Sequence, residues 1–306
     1  MTTPSGRQLE LLLGDQHATV VEVGGGLRTY SVAGRPVLDG YPAEAMADGA
    51  RGQVLAPWPN RIEDGRYSFD EREHQLSLSE PAAHNAIHGL VRWVSWDVVE
   101  REPHRVLLTH LLHPQPGYPF LLRLSVDYSL AAAGLTVATS ATNEGDQACP
   151  YGTGAHPYLR VADTTLDTWV LRAPARQVLI ADERGIPRSR RPVAGTPYDF
   201  QAGRAVGDLV VDHGFTDLAR AADGRATVTV TDPASGRALE LWMDASYRHL
   251  MVFTGDTLAP DRRRHGLAPE PMTCPPNAFQ TGEDLIRLEP GASVTATWGL
   301  RELRPG

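Results

Sequence analysis

The sequence of 306 residues contains no lysine, so all 29 of its basic residues are arginine. This absence excludes Schiff-base and pyridoxal phosphate enzymes, Walker A phosphate loops and protein kinases, because each of these needs a lysine amine. Cysteine is scarce as well, with only Cys149 and Cys274. Two thiols are too few for a disulfide framework or a thiolate zinc site, although counting alone leaves one bridge open. This usage fits a reducing cytosol, and we expect a cytoplasmic protein.

Long apolar runs and a basic excess are also missing. No stretch approaches the roughly 18 apolar residues of a membrane span, and the short run at residues 9–13 is interrupted by Glu10, which argues against a secretory signal. The formal net charge is −8 at pH 7. A nucleic-acid or anionic membrane surface needs a basic excess, so we expect neither partner. The composition instead favours a small-molecule partner.

Amphipathic helical patterns are absent, whereas turn residues are abundant, with 29 glycines and 24 prolines. Apolar and polar side chains alternate through residues 122–130, which is the pattern of a half-buried strand. Similar patterns predict further strands at residues 18–23, 66–70, 75–79, 94–99, 106–111, 135–139, 227–232, 238–243, 250–253 and 292–300. Residues 41–46 offer at most one turn of helix, because they are few and include Pro42.

The turns between these strands carry the residue pairs that favour hairpins. These pairs are Asp64-Gly65, Ala133-Gly134, Asp223-Gly224 and Ser235-Gly236. Without amphipathic helices between the strands, a parallel βαβ fold is disfavoured. The sequence therefore predicts an all-β protein, either a large antiparallel sandwich or a closed barrel, and we expect a single domain over residues 1–306.

Five segments combine polar and aromatic residues with glycine or proline outside the strand pattern, at residues 58–62, 84–93, 152–158, 212–215 and 268–273. Their candidate binding residues are Arg61, His88, His156, Asp212 and Glu270, with Trp58, Trp93 and Tyr158 as the aromatic candidates. Charged groups bind sugar hydroxyls, and aromatic rings stack on the apolar faces of sugars. Each residue also has a structural explanation, such as an ion pair between Arg61 and Glu63. Together the segments predict a sugar site.

In their order and spacing these segments resemble the aldose 1-epimerase (galactose mutarotase) family, from about residue 50 to the C-terminus. The matching segments are Asn60-Arg61-Ile62, Asn85-Ala86-Ile87-His88-Gly89, His156-Pro157-Tyr158, Asp212-His213-Gly214-Phe215, Glu270-Pro271 and Leu288-Glu289-Pro290-Gly291. The resemblance implies a large antiparallel β-supersandwich with its pocket in an open cleft. It also implies chemistry that needs neither a metal nor a cofactor.

The resemblance further implies a role for each candidate residue. Glu270, as a carboxylate, takes the proton from the C1 hydroxyl of a hexose, while His156, as an imidazolium, gives one to the ring oxygen. The ring opens, rotates about C1–C2 and recloses as the other anomer. His88 and Arg61 hold sugar oxygens, and Asp212 accepts hydrogen bonds from hydroxyls. Trp93 and Tyr158 are the expected substrate-binding aromatics, and the expected activity is that of an aldose 1-epimerase.

Three alternatives stay open at this point. Arg92, or the run Arg262-Arg263-Arg264, could bind an anionic sugar such as a hexose phosphate or a sulfonated sugar. A non-catalytic sugar-binding protein could use the same fold without needing both His156 and Glu270. A metal-dependent β-barrel enzyme could use His84, His88 and a carboxylate, although the sequence lacks the His-x-His and downstream glutamate spacing of such barrels.

Overall fold

Short alternating runs separated by glycine- and proline-rich turns fold into β-strands throughout the computed structural model, which describes residues 3–303. The strands are β1 (Gln8–Leu13), β2 (Gln16–Val21), β3 (Leu27–Val32), β4 (Arg35–Pro36), β5 (Val54–Leu55), β6 (Arg61–Glu63), β7 (Arg66–Phe69), β8 (Arg72–Gln75), β9 (Asn85–Ile87), β10 (Asp97–Glu102), β11 (Arg105–Leu112), β12 (Leu122–Ala131), β13 (Gly134–Asn143), β14 (Cys149–Tyr151), β15 (Gly154–Ala155), β16 (Val170–Arg172), β17 (Ala175–Ala181), β18 (Pro187–Pro192), β19 (Arg204–Ala205), β20 (Asp212–Leu218), β21 (Ala226–Thr231), β22 (Ala238–Met243), β23 (His249–Phe253), β24 (Ala268–Met272), β25 (Ile286–Leu288) and β26 (Ser293–Leu303). The helical elements of this range are α1 (Ala278–Thr281) and two 3₁₀ turns, Pro81–Ala83 and Leu166–Thr168.

Two large sheets dominate the architecture. The nine-stranded sheet has the order β10-β11-β12-β13-β26-β22-β21-β16-β19, and the seven-stranded sheet has the order β18-β17-β20-β23-β24-β15-β5. A four-stranded sheet, β1 to β4, and the pairs β14–β25, β6–β9 and β7–β8 complete the structure. The pairings between these strands are antiparallel, and the one parallel contact within residues 3–303 is an isolated bridge between Ala56 and Gly89. The predicted all-β, antiparallel class is confirmed.

The core lies between sheets and is built from the alternating faces of their strands. Along β12 the residues that alternate inward are all buried, from Leu122 to Leu130. These side chains belong to the same hydrophobic cluster as Val178 and Leu250 of the seven-stranded sheet. Each large sheet packs one apolar face against the other sheet, so the apolar faces of both sheets are buried in a shared core.

Two local predictions were wrong. The strand predicted at 75–79 is replaced by β8, which ends at Gln75, and the strand predicted at 94–99 begins only at Asp97. The residues before Asp97 serve other contacts, since the carbonyl of Val94 accepts a hydrogen bond from Gly24 and the Trp96 side chain is buried. Residues 41–46 form a turn and a bend, which is within the predicted limit of one helical turn, and the helical turn α1 lies elsewhere.

The hairpin predictions were half correct. Ala133-Gly134 joins the paired strands β12 and β13, and Ser235-Gly236 joins the paired strands β21 and β22. Asp64-Gly65 and Asp223-Gly224 also form tight turns, but the strands that follow them belong to different sheets from those that precede them. A turn signal specifies the local bend and carries no information about the strand that the chain then pairs with.

Two further features concern the helices and the cysteines. A search of residues 3–303 for a helix of sufficient length and apolarity to cross a membrane finds none. Cys149 and Cys274 are both free thiols, and both are buried.

One close backbone contact brings the small β6–β9 sheet against the seven-stranded sheet. Gly89, two residues after β9, forms the parallel bridge with Ala56, which follows β5, and the N–H of Leu90 donates to the Ala56 carbonyl at 2.8 Å. Gly89 has φ +71°, and a Cβ at this position would lie 2.0 Å from the Ala56 carbonyl oxygen. Only glycine satisfies both the backbone conformation and the close approach.

We expect Gly89→Ala to destabilise the protein more than Gly34→Ala does. Both glycines have a positive φ, +71° and +73°, but a Cβ on Gly34 meets nothing within 4 Å. Gly34→Ala should therefore cost only the left-handed backbone conformation, about 1–2 kcal/mol, and Gly89→Ala should add the overlap with Ala56. Urea unfolding at equilibrium measures both losses, and equal losses would show that the contact with Ala56 imposes no constraint.

Candidate active site

The predicted site residues converge on one cavity of about 320 Å³, close to the lower end of the roughly 300–1,000 Å³ usual for ligand pockets. Its lining includes all seven of them: Arg61, His88, Trp93, His156, Tyr158, Asp212 and Glu270. The seven-stranded sheet supplies Asp212 at the start of β20, Glu270 in β24 and His156 directly after β15. Arg61 begins β6 and His88 follows its partner β9, so the two-stranded β6–β9 sheet supplies these two lining residues.

His156 and Glu270 form the most deeply buried pair of titratable groups in the cavity. Their strands are neighbours, with Gly154 of β15 paired to Met272 of β24. The Nε2 atom of His156 lies 3.2 Å from Oε1 of Glu270, and the two side chains are 6% and 2% exposed. The other carboxyl oxygen, Oε2 of Glu270, is buried and has no hydrogen-bond partner among the described residues, and the same is true of Nδ1 of His156. The pair is therefore close enough to exchange a proton and still has free polar atoms for a ligand.

Burial drives both members of this pair toward their neutral forms. It raises the pKa of Glu270 well above that of an ordinary carboxyl group, an effect increased by the charge of Asp212 and opposed by Arg61. Burial lowers the pKa of His156, and the nearby guanidinium groups of Arg51 and Arg92 lower it further. These shifts favour the arrangement in which the single proton of the pair lies on Glu270 and both groups are neutral.

His88 is held in one tautomer by the backbone of Asn60. The N–H of Asn60 donates to Nδ1 of His88 at 3.2 Å, and the N–H of His88 donates to the carbonyl of Asn60 at 2.8 Å. Burial, His156 and Arg92 lower the pKa of His88, so the ring is neutral and its proton lies on Nε2. Both residues have a positive φ, 62° for His88 and 54° for Asn60. Such strained backbone tends to occur at functional sites, and here it fixes a hydrogen-bond donor in the wall of the cavity.

Arg61 pairs with Glu80 rather than with Glu63. Its Nε and Nη2 atoms donate to the two carboxylate oxygens of Glu80 at 2.9 and 3.0 Å, and its Nη1 lies 3.9 Å from Asp212. Glu63 is bound instead by Arg184 and Arg188. The bidentate contact orients the Arg61 guanidinium in the cavity wall.

Glu80 is a site residue that the sequence did not reveal. It lines the cavity and also accepts a hydrogen bond from Nδ2 of Asn85, at 2.9 Å. It lies 19 residues after Arg61 in an irregular segment, so no motif connects the two. Only the antiparallel pairing of β6 with β9 brings them together.

The three aromatic candidates have different environments. Trp93 lines the cavity and is 51% exposed, so its ring offers free surface to a ligand. Trp58 is 2% exposed and packs in the core. Tyr158 is 1% exposed, and its ring stacks on the imidazole of His156 with centroids 5.0 Å apart.

Tyr158 is embedded in a network that supports His156. The guanidinium of Arg51 lies 3.9 Å from the centroid of the Tyr158 ring and donates to Asp39 at 2.9 Å. The hydroxyl of Tyr158 donates to the carbonyl of Gly49 at 2.9 Å. With so little of its ring exposed, Tyr158 is better suited to position His156 than to stack on a sugar.

His84 and His88 do not form a joint metal site. The His84 side chain is 64% exposed and lies 2.7 Å from Asp64, whereas His88 is buried in the cavity. Among residues 3–303, the one group of three potential ligands consists of His249, Glu283 and Asp284. The two carboxylates of that group already pair with arginines, Glu283 with Arg190 and Asp284 with Arg248.

Comparison with known proteins identifies relatives over nearly the whole chain. The aldose 1-epimerase family model matches residues 10–301. The Escherichia coli protein YihR is 38% identical over 288 residues, which cover 94% of this chain and 90% of YihR. Human galactose mutarotase is 29% identical over 244 residues, covering 74% of this chain and 68% of that enzyme. Maltose epimerase of Levilactobacillus brevis is 26% identical, covering 90% and 85% of the two chains.

Solved structures show the same fold at low sequence identity. An aldose epimerase homologue from Caenorhabditis elegans superposes with a TM-score of 0.85 at 17% identity, covering 97% of this chain and 99% of that one. A galactose mutarotase-like protein from Clostridium acetobutylicum gives a TM-score of 0.84 at 17% identity, with coverages of 97% and 95%. These likenesses confirm the predicted supersandwich fold.

We expect Asp212→Asn to lower the pKa of Glu270. The charge of Asp212 makes ionisation of Glu270 harder, so its removal favours the carboxylate. The test is an infrared titration of the protonated carboxyl band, which is assigned to Glu270 by its loss in Glu270→Gln. Asp163→Asn serves as the control, because Asp163 is exposed and does not line the cavity. An unchanged or raised Glu270 pKa in Asp212→Asn would contradict the electrostatic assignment.

Proposed function

Because the chain belongs to the aldose 1-epimerase family, we propose that it is a mutarotase that interconverts the α and β anomers of a hexose by opening and reclosing the sugar ring. The observation that carries this proposal is the buried contact of 3.2 Å between His156 and Glu270, one group able to give a proton and the other able to take one. Ring opening needs both transfers at the anomeric centre, and neither requires a metal or a cofactor.

In the proposed mechanism the cyclic sugar meets Glu270 as a carboxylate and His156 as an imidazolium. Glu270 removes the proton from the C1 hydroxyl, and His156 delivers a proton to the ring oxygen as the bond from C1 to that oxygen breaks. The products are the open-chain aldehyde, neutral Glu270 and neutral His156. Rotation about C1–C2 and reversal of both transfers then yield the other anomer and restore the starting charges.

The protonation of the ligand-free protein is compatible with this cycle. Burial places the single proton of the pair on Glu270, whereas the cycle begins with it on His156. The two arrangements have the same number of protons and differ by one transfer across a contact of 3.2 Å. Sugar oxygens that accept from His156 and donate to Glu270 would favour the charged arrangement, because hydrogen bonds to charged forms stabilise them.

The remaining cavity residues are suited to bind and orient the sugar. The neutral His88 presents Nε2–H as a donor, Arg61 presents a guanidinium held by Glu80, and Asp212 presents an acceptor that is 41% exposed. Trp93 offers ring surface for an apolar sugar face. We assign Tyr158 to the positioning of His156, which revises its expected role as a stacking residue.

A non-catalytic sugar-binding protein is the competing function. Burying a carboxyl and an imidazole in mutual contact lowers stability, and a binding protein has no catalytic use for such a pair. The joint presence of Glu270 and His156 in the cavity therefore favours an enzyme.

We expect the purified protein to accelerate the change in optical rotation of freshly dissolved α-glucose or α-galactose. Glu270→Gln and His156→Asn should each lower kcat/KM by about 10²- to 10⁴-fold, because each removes one member of the acid and base pair. Polarimetry measures the rate, and calorimetric titration measures whether the variants still bind sugar.

The matched controls are Glu71→Gln and His84→Asn, which make the same chemical changes at exposed positions outside the cavity. They should retain the wild-type rate. Sugar binding by the wild-type protein without any acceleration would identify a binding protein instead.

The activity should depend on pH as a bell with a broad top. On the acid side the activity falls when the pair takes up a second proton, which binds to His156. This occurs at a pH below the usual imidazole pKa, because burial lowers the pKa of His156. On the alkaline side it falls when Glu270 loses the last proton, at a pH above the usual carboxyl pKa because burial raises it. The measurement is kcat/KM as a function of pH. A fall in activity on the acid side that is centred on the usual imidazole pKa would refute this expectation.

A further inference from the structure

Arg92 is a cation of the cavity without a counter-charge. Its side chain lines the cavity beside Trp93, with the guanidinium carbon 5.7 Å from the indole ring. Within residues 3–303 no carboxylate oxygen lies within ion-pair distance of this guanidinium, and its buried Nε atom has no hydrogen-bond partner. Burial alone lowers the pKa of Arg92, with no neighbouring carboxylate to offset it. Arginine remains charged under these conditions, so the cavity contains one uncompensated positive charge.

The other cations that could bind an acid are already engaged. Arg61 donates to both oxygens of Glu80. Arg262 donates to the carbonyl of Gly40 and lies 3.7 Å from Asp39, while Arg264 lies between Asp167 and Asp256. Neither Arg262 nor Arg264 lines the cavity, nor does the exposed Arg263 between them. Of the arginines that the sequence offered for an anionic sugar, only Arg92 both lines the cavity and has no carboxylate partner.

The backbone that carries Arg92 is held firmly. Arg92 and Trp93 form a turn between two fully buried side chains, Val91 and Trp96. The carbonyl of Arg92 accepts a hydrogen bond of 2.8 Å from Nε2 of Gln53. Its guanidinium is therefore presented to the cavity from a fixed anchor, which lowers the entropy cost of binding a ligand there.

We propose that Arg92 recognises an acidic group on the sugar, so that the substrate is a hexose that carries a sulfonate, phosphate or carboxylate. This inference rests on the proposed mutarotase function, which places the anomeric carbon at His156 and Glu270. A half-buried guanidinium without a carboxylate partner loses part of its hydration, and a ligand that brings a negative charge compensates for that loss. The planar fork of the guanidinium matches two terminal oxygens of such a group.

The other charges of the cavity do not oppose this assignment. The carboxylate of Glu80 is neutralised by its bidentate contact with Arg61, and Asp212 also lies near Arg61, at 3.9 Å. Arg61 is therefore shared by two carboxylates, whereas Arg92 is left for the ligand. A neutral hexose would leave Arg92 uncompensated in the complex.

The test compares kcat/KM for glucose, glucose 6-phosphate, 6-deoxy-6-sulfoglucose and glucuronate, each corrected for its own spontaneous mutarotation. We expect at least one acidic sugar to exceed glucose by about 10- to 100-fold, the usual effect of a charge-assisted hydrogen bond. Arg92→Met should reduce this ratio to near one, mainly through KM. Arg263→Met, which removes the same charge outside the cavity, should keep the wild-type ratio. The acidic sugar with the highest value identifies the acidic group.

The outcomes separate this inference from the function on which it rests. If the wild-type protein accelerates none of the four sugars, the proposed mutarotase function fails. If it accelerates glucose and all acidic sugars equally, the function stands and the inference about Arg92 is overturned. A preference for acidic sugars that survives in Arg92→Met would also overturn it.

A stability measurement guards against misfolding of the variant. Because Arg92 has no partner to lose, Arg92→Met should unfold thermally at the wild-type temperature or above it. The preferred acidic sugar should raise the unfolding temperature of Glu270→Gln, and this increase should be lost in the double variant Arg92→Met/Glu270→Gln. A markedly lower unfolding temperature of Arg92→Met in the absence of sugar would show that Arg92 has a structural partner, which overturns the inference.

Discussion

The contact between His156 and Glu270 is the constraint to which the rest of the site is adapted. Placing an imidazole and a carboxyl 3.2 Å apart with almost no solvent exposure suppresses both charges, so the pair holds one proton and stays neutral. Such a pair can act as acid and base only if a ligand favours its charged form, with a carboxylate and an imidazolium, during the reaction. The polar atoms that the pair leaves unsatisfied, Nδ1 of His156 and Oε2 of Glu270, indicate a ligand rich in hydrogen-bonding groups.

The fold produces this arrangement by bringing distant strands together. The chain separates His156 from Glu270 by more than a hundred residues, yet β15 and β24 are neighbours in the seven-stranded sheet. A rigid sheet holds reacting groups more accurately than loops do. The remaining donors come from the β6–β9 sheet, whose position depends on the glycine contact at Gly89. The proposed acid and base and Asp212 thus lie on or beside the seven-stranded sheet, whereas Arg61 and His88 lie on the β6–β9 sheet, which approaches it closely at Gly89.

Sequence patterns predicted the all-β class and most of the site because both depend on local signals. Alternation reports which face of a strand is buried, as along β12, and motif order identified the segments around Arg61, His88, His156 and Glu270. Partnerships across the chain were not visible: Glu80 has no motif, and the turns at Asp64 and Asp223 did not reveal a change of sheet. Nor does an aromatic residue in a motif report whether its ring is free: Tyr158 lines the cavity, yet it is 1% exposed.

The distribution of charge in the cavity separates two kinds of recognition. Arg61 is neutralised by Glu80 before any ligand arrives, so it can orient a hydroxyl without favouring a charged sugar. Arg92 has the same chemical group and no such partner, and a half-buried cation in that state binds an acid more strongly than it binds a hydroxyl. We propose that His156 and Glu270 determine the reaction and that Arg92, which lacks a counter-charge, determines which sugars react fastest. The presence or absence of a carboxylate partner for one cavity arginine can therefore change sugar specificity within this fold, without any change in the acid and base.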